Sequence, residues 1–199
     1  MKIGLYFGSF NPIHVGHLII ANHIANNLDL NQVWFVISPQ NPLKVSNTLL
    51  NKFHRKYLID IAIDGEKKLR SSSIEFSLPI PSYTIDTLTY LRENHPGYLF
   101  SVIMGSDSFK NIARWKNYQQ LVKDYKILVY ERPGFKTENN FGKNIINLNA
   151  PLLDISSSKI REMIKTGQSI KFLVPDVVKE EIEKNVRSRS ANLRVAEMK

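Results

Sequence analysis

Residues 3–17 read I-G-L-Y-F-G-S-F-N-P-I-H-V-G-H, and the rest of the chain is organised around them. The apolar run from Ile3 to Phe7 is short and rich in β-forming residues, as a buried parallel strand would be. Gly8 breaks the run, and a glycine there lets the backbone turn sharply and come close to a ligand. Pro12 fixes one backbone angle and ends the strand register. From His17 onward, Leu18, Ile19, Ala21, Ile24, Ala25 and Leu28 suit a mostly buried helix. The free amides and positive dipole end at a helix start favour an anion. His14 and His17 stand three residues apart near that end and could face one phosphate chain. The stretch predicts strand, phosphate-binding turn and helix start.

The chain has 199 residues, enough for one domain with a sizeable core. Hydrophobic residues make up 43% and charged residues 23%, ordinary values for a globular protein in water. No apolar run reaches transmembrane length, and the N-terminus enters a core strand at once, so neither a membrane span nor a signal peptide is expected. There are no cysteines, which excludes disulfides and thiol catalysis and fits a cytoplasmic location. Net charge is +9, with 12 Lys/Arg against 7 Asp/Glu in residues 101–178, so the excess lies within a folded stretch. A basic cleft attracts phosphorylated substrates. Nucleic acid is not expected as a partner: there is no zinc-finger spacing, aromatic RNA-binding signature or long basic block.

Onward from the first helix, strands and helices alternate. Gln32 to Ser38 reads as a second buried strand, completing a βαβ unit. Pro39-Gln-Asn-Pro-Leu-Lys44 leaves its carboxyl end, the edge where ligands bind in open parallel sheets. Phe53 to Ile63 has a helical period, with Asn51 or Asp64 marking its ends. Leu69 to Leu78 alternates loosely and predicts a strand, closed by Pro79 and Pro81. Ser82 or Thr84 could cap the helix that follows, with Ile85, Leu88 and Leu91 inward. Tyr98 to Met104 is the most apolar strand and is placed centrally. It ends in Gly105-Ser-Asp107, where the acid could reach a ribose hydroxyl or a hydrated Mg²⁺, or simply cap a helix beginning at Ser108. Lys126 to Tyr130 and Asn144 to Leu148 read as further strands, and Arg132 between them is either a phosphate contact or a surface arginine. Ser156 to Arg161 opens a helix that ends at Gly167, and Pro175 starts a last one. The expected fold is α/β: a Rossmann-like, doubly wound, mostly parallel sheet with helices on both faces. Residues 1–186 are read as one domain and 187–199 as a tail.

The complete string G-S-F-N-P-I-H-V-G-H closely resembles the nucleotidyltransferase superfamily, which joins nucleotides through an α-phosphate. The resemblance implies that His14 and His17 bind ATP phosphates, with Gly8, Ser9 and Phe10 lining the turn. Four further segments, in order, are similar to bacterial nicotinate-nucleotide adenylyltransferases. The loop carrying Lys44 implies a cation on a phosphate, for catalysis and for the mononucleotide. The segment P-S-Y-T-I-D-T-L from Pro81 implies that Tyr83 and Thr84 face the pyridine carboxylate. In G-S-D followed by Trp115, Gly105 and Asp107 fall on the ATP side, and the Trp115 ring packs by the nicotinate. Arg132 is assigned to the mononucleotide. I-S-S-S-K-I-R from Ile155 matches the second superfamily motif, with Ser158 in place of a threonine, and implies Ser157, Ser158 and Arg161 as ligands of the ATP phosphates.

The implied reaction is ATP plus nicotinate mononucleotide giving deamido-NAD and pyrophosphate. The mononucleotide's own phosphate is the nucleophile, so catalysis reduces to positioning and charge stabilisation. His14, His17, Lys44 and Arg161 would neutralise charge building on the phosphates, and Mg²⁺ would ride on the ATP with few or no protein ligands. Rival readings are an adenylyltransferase for nicotinamide mononucleotide or phosphopantetheine, and a nucleotide-binding sensor without chemistry.

Overall fold

A computed structural model of the chain describes residues 1–40, 49–135 and 142–185; Lys44 and the expected tail at 187–199 lie outside them. The elements are β1 (Lys2–Gly8), α1 (Val15–Asn27), β2 (Gln32–Ile37), α2 (Lys52–Ala62), β3 (Leu69–Ser72), α3 (Thr84–Asn94), β4 (Leu99–Gly105), α4 (Ser106–Phe109), α5 (Tyr118–Asp124), β5 (Lys126–Tyr130), β6 (Ile145–Leu148) and α6 (Ser157–Lys165). A further helix, α7, is described over 176–185. The strands form one parallel sheet in the order β3-β2-β1-β4-β5-β6. This is a Rossmann-like α/β fold. The chain winds outward from β1 in one direction and from β4 in the other, so the carboxyl ends of β1 and β4 flank the switch point where such sheets bind ligands.

Alternation along the strands divides the core between the two faces. Tyr6, Phe35, Ile103 and Leu128 pack with Ile20 and Ile24 of α1, Leu58 and Ile59 of α2, Ile160 of α6 and Val178 of α7. Ile3, Leu5, Val36, Val102 and Val129 pack on the other face with Leu88 and Leu91 of α3 and Leu121 of α5. Among the described residues no helix is long and apolar enough to cross a membrane.

Three local expectations change. The strand expected over 69–78 stops at Ser72, and Ile74–Phe76 forms a single 3₁₀ turn. Its neighbour β2 ends at Ile37, so the ladder has no partner beyond the Val36–Ser72 pair. Helix α1 begins at Val15, ahead of His17, because His14 is its N-cap. Neither Ser82 nor Thr84 caps α3: Tyr83 holds the N-cap position without a side-chain bond, and Ser82 donates to Glu75 instead.

Asn51 caps α2 by accepting from the Phe53 amide, and the helix then carries Arg55 inward. Arg55 has no solvent exposure. Its guanidinium donates to four main-chain carbonyls: Nε to Leu50 at 3.0 Å, Nη1 to Ser9 at 2.5 Å and Ser38 at 2.9 Å, and Nη2 to Pro39 at 3.2 Å. Burial pushes its pKa down to about 10, which leaves it charged at neutral pH. A lysine at this position has one head group for carbonyls on three separate segments. Arg55→Lys is expected to cost about 3 kcal/mol or more through unsatisfied buried carbonyls. Urea denaturation reads this, and a midpoint within error of wild type would reject the clamp.

Candidate active site

A cavity of about 570 Å³ opens at the carboxyl ends of β1, β4 and β5 and reaches over the sheet from one face to the other. On the side of the first turn, Phe10 anchors the backbone. Its ring is buried and meets Tyr6, His17 and Phe35 edge-on at 5.6, 5.0 and 5.3 Å. The residue adopts φ +45°, a left-handed conformation costing roughly 1–2 kcal/mol. Burying a phenylalanine contributes about 2–3 kcal/mol, so burial wins. Gly8 is required by this ring rather than by a turn of its own: a Cβ there would stand 2.8 Å from Phe10 Cζ.

His14 Nδ1 accepts the His17 amide at 3.4 Å, which places the proton of the neutral His14 ring on Nε2. The two imidazoles stack at 3.6 Å with 22° between planes. Gly16 makes room for this, since a Cβ there would lie 3.1 Å from the His14 ring. Burial pushes His14 down to about 3, with the positive Arg132 adding to the shift. Burial also pushes His17 well below its usual value, with His14 and then Arg132 contributing. Both rings are therefore neutral at pH 7. The Nδ1 of His17 is buried and makes no hydrogen bond.

Helix α6 is latched onto the same turn. Ser156 caps it by accepting from the Lys159 amide. The Ser157 hydroxyl donates to the Pro12 carbonyl at 2.9 Å, and Arg161 donates from Nη1 to the Asn11 carbonyl at 2.8 Å and from Nη2 to Ser158 Oγ at 3.1 Å. These side chains hold the turn in place, while the first-turn amides of Ser157 and Ser158 have no partner within the helix.

Next to His17 lie Tyr6 and Tyr130, hydroxyls 2.8 Å apart. Burial pushes both phenols up and keeps them protonated. Asp107 sits in the first turn of α4, whose N-cap is Gly105, so it is not the cap of a helix starting at Ser108. A Cβ on Gly105 would stand 2.5 Å from Asp107 Oδ1 and 3.1 Å from Arg132 Cγ, so the bare glycine leaves room for both side chains. The Arg132 amide donates to Ser106 Oγ at 2.8 Å. Arg132 is close enough to the histidines for its charge to act on both.

The opposite wall is built on the other face of the sheet. Tyr83 and Thr84 begin α3, and Trp115 lines the cavity half-buried, packed against the core under α3. Lys116 binds Asp86 at 2.8 Å and lies over the Tyr83 ring at 4.9 Å. Ser9 lines the cavity, its carbonyl held by Arg55.

Sequence reasoning missed Arg55, Glu75 and the Tyr6–Tyr130 pair. Arg55 had a signal: it stands in phase with the buried Leu58 and Ile59, where a charge is out of place. Glu75 lies between Ile74 and Phe76, a weaker signal, and its buried partners lie seven and twelve residues away.

The cytidylyltransferase-like family model matches residues 5–163. A probable nicotinate-nucleotide adenylyltransferase of Flavobacterium psychrophilum is 49% identical over 181 residues, covering 89% of this chain and 94% of that protein. One of Cytophaga hutchinsonii is also 49% identical, over 183 residues, covering 90% and 94%. Among solved structures, the nicotinic acid mononucleotide adenylyltransferase of Plasmodium falciparum complexed with NaAD superposes with TM-score 0.80 at 27% identity, covering 92% of this chain and 95% of that one.

The buried neutral His14 makes stability depend on pH. Its folded pKa, about 3, lies below the unfolded value near 6.5, so the unfolded chain binds the extra proton between them. Stability is full above about 6.5 and falls as pH drops toward 3. His14→Asn keeps a capping side chain but does not titrate. Its melting temperature should decline less steeply than that of wild type between pH 7 and 5. Parallel slopes would show that His14 titrates normally.

Proposed function

This chain belongs to the nicotinate-nucleotide adenylyltransferases, within the cytidylyltransferase-like family, and from that premise we propose how its cavity divides the work. The enzyme transfers the adenylyl group of ATP to nicotinate mononucleotide, giving deamido-NAD and pyrophosphate. The observation that carries the division is the cavity's two unlike ends. The stacked His14–His17 pair and the α6 start share one end, and the uncapped α3 start beside Trp115 forms the other.

ATP phosphates take the first end. They bring their own negative charge, so neutral imidazole N–H donors, the first-turn amides of α6 and the guanidinium groups of Arg161 and Arg132 suit them. The charge that Arg132 exerts on both histidines supports a phosphate as its contact. Gly8, Ser9, Phe10 and Gly105 form walls that shape this end. Lys44, outside the described residues, is proposed to add a cation for the attacking phosphate.

The mononucleotide's pyridine ring takes the second end, stacked on Trp115. Its carboxylate sits at the amides of Tyr83 and Thr84, where a helix start with no side-chain cap favours an anion. An amide in the same place gains less from the dipole, so the acid is preferred over the nicotinamide form. A phosphate oxygen of the mononucleotide attacks the α-phosphorus of ATP. A new P–O bond forms as the bond to the β-phosphate bridging oxygen breaks, and pyrophosphate carries away the electron pair. Neither substrate needs a proton removed, so the protein contributes alignment and hydrogen bonds to developing charge.

Mg²⁺ fits this site as an ion held by nucleotide phosphates, and Asp107, a carboxylate at the phosphate side, would anchor its water shell. The ion supplies further charge stabilisation on the phosphate oxygens.

Pyrophosphate release with ATP, measured side by side for nicotinate mononucleotide, nicotinamide mononucleotide and phosphopantetheine, tests the reading. The acid mononucleotide should give the highest kcat/KM, and a preference for phosphopantetheine would refute it. His17→Ala should lower kcat by roughly a hundredfold or more while the melting transition survives; unchanged turnover removes His17 from the chemistry. Trp115→Ala should raise KM for the mononucleotide more than for ATP, and the reverse order would make the ring a packing group.

A further inference from the structure

Glu75 is 1% exposed, yet it borders the same cavity as Tyr83 and Thr84. Ser82 Oγ donates to its Oε2 at 2.7 Å, Thr87 Oγ1 donates to its Oε1 at 2.9 Å, and the Ser38 side chain adds a third hydrogen bond. Ser82 immediately precedes the N-cap of α3, and Thr87 lies at the end of its first turn. One carboxylate therefore grips the helix start from both sides. Ser38 ties this grip to the sheet: its amide donates to the Gly8 carbonyl at 3.0 Å, and its carbonyl accepts from Arg55, which also holds Ser9. The bonds run without a break from the first turn to α3.

A buried carboxylate is a costly way to hold a loop. Packing alone could be met by an apolar side chain of similar size. What an apolar residue cannot do is fix two hydroxyls at set directions, and here those hydroxyls flank the start of α3, whose Tyr83 and Thr84 line the cavity. They also leave the helix start open: Ser82, the hydroxyl nearest the N-cap, is turned away from the α3 amides.

We propose that Glu75 is a positioning residue for the mononucleotide: through Ser82 and Thr87 it sets where the open amides of α3 stand relative to the phosphate-binding turn. This rests on the reading of the α3 start as the seat of the pyridine carboxylate. Glu75 touches neither substrate in this account. It acts on KM for one substrate and on the choice between acid and amide.

Steady-state kinetics of Glu75→Gln, Thr87→Val and Thr87→Ser, each with a melting curve, test the proposal. Glu75→Gln should raise KM for nicotinate mononucleotide on the order of tenfold, the effect of losing one hydrogen bond to a charged group. KM for ATP should stay within about twofold, and the acid-over-amide preference should fall. Thr87→Val should move the same quantities in the same direction, and Thr87→Ser, which keeps the hydroxyl, should recover most of that loss. If Glu75→Gln does not fold, the two Thr87 variants carry the test. Equal rises in both KM values, or an unchanged acid-over-amide ratio, overturn the positioning role. If wild type does not prefer the acid mononucleotide, the reading of the α3 start fails and the proposal with it. If wild type prefers the acid and the variants match it, the role of Glu75 alone fails.

Discussion

A buried guanidinium bonded to main-chain carbonyls is the constraint on which the site depends. Arg55 draws the carbonyls of Ser9, Ser38, Pro39 and Leu50 to one point. These belong to the segment after β1, the segment after β2 and the residue before the N-cap of α2. Each segment leaves a strand or enters a helix with polar groups that neither element satisfies. Arg55 satisfies them together, and so sets the distance between the ends of β1 and β2 at the rim of the cavity. A carboxylate partner would have neutralised the charge but held no backbone. The planar, forked donor suits carbonyls arriving from different directions.

The second constraint is the neutrality of the histidine pair. Two stacked imidazoles beside Arg132 could not both be charged without strong repulsion, and burial removes the water that would screen it. The site therefore sets neutral donors near fixed cations. That arrangement avoids holding several positive charges side by side. It also accords with the proposal that positioning is most of the protein's contribution.

The two faces of the sheet share the work unequally. The face carrying α1, α2 and α6 holds the histidine pair, and α6 reaches back 145 residues to bond Pro12 through Ser157. The face carrying α3 and Trp115 holds the groups that fit a flat ring with a negative end. Because β1 and β4 are neighbours at the switch point, a molecule laid across their ends touches both faces. Joining two nucleotides needs that geometry, and the strand order supplies it.

The sequence by itself determined the alternation of strands and helices, the parallel α/β class, the turn after Phe7 and the order of the five motifs. These rest on local signals: apolar periodicity, glycine and proline, and residue types at fixed spacing, all set within a few neighbours along the chain. The tertiary structure alone decided that Gly8 clears space for Phe10, that β3 stops where β2 stops, and that Ser157 and Arg161 brace the first turn. It also decided that Ser82 serves Glu75 rather than α3 and that His14 and His17 are uncharged. Each of these depends on burial or on a partner distant in sequence. A pKa, a cap or a hydrogen bond is settled by what the folded chain brings alongside, and the residue's own neighbours in sequence do not carry that information.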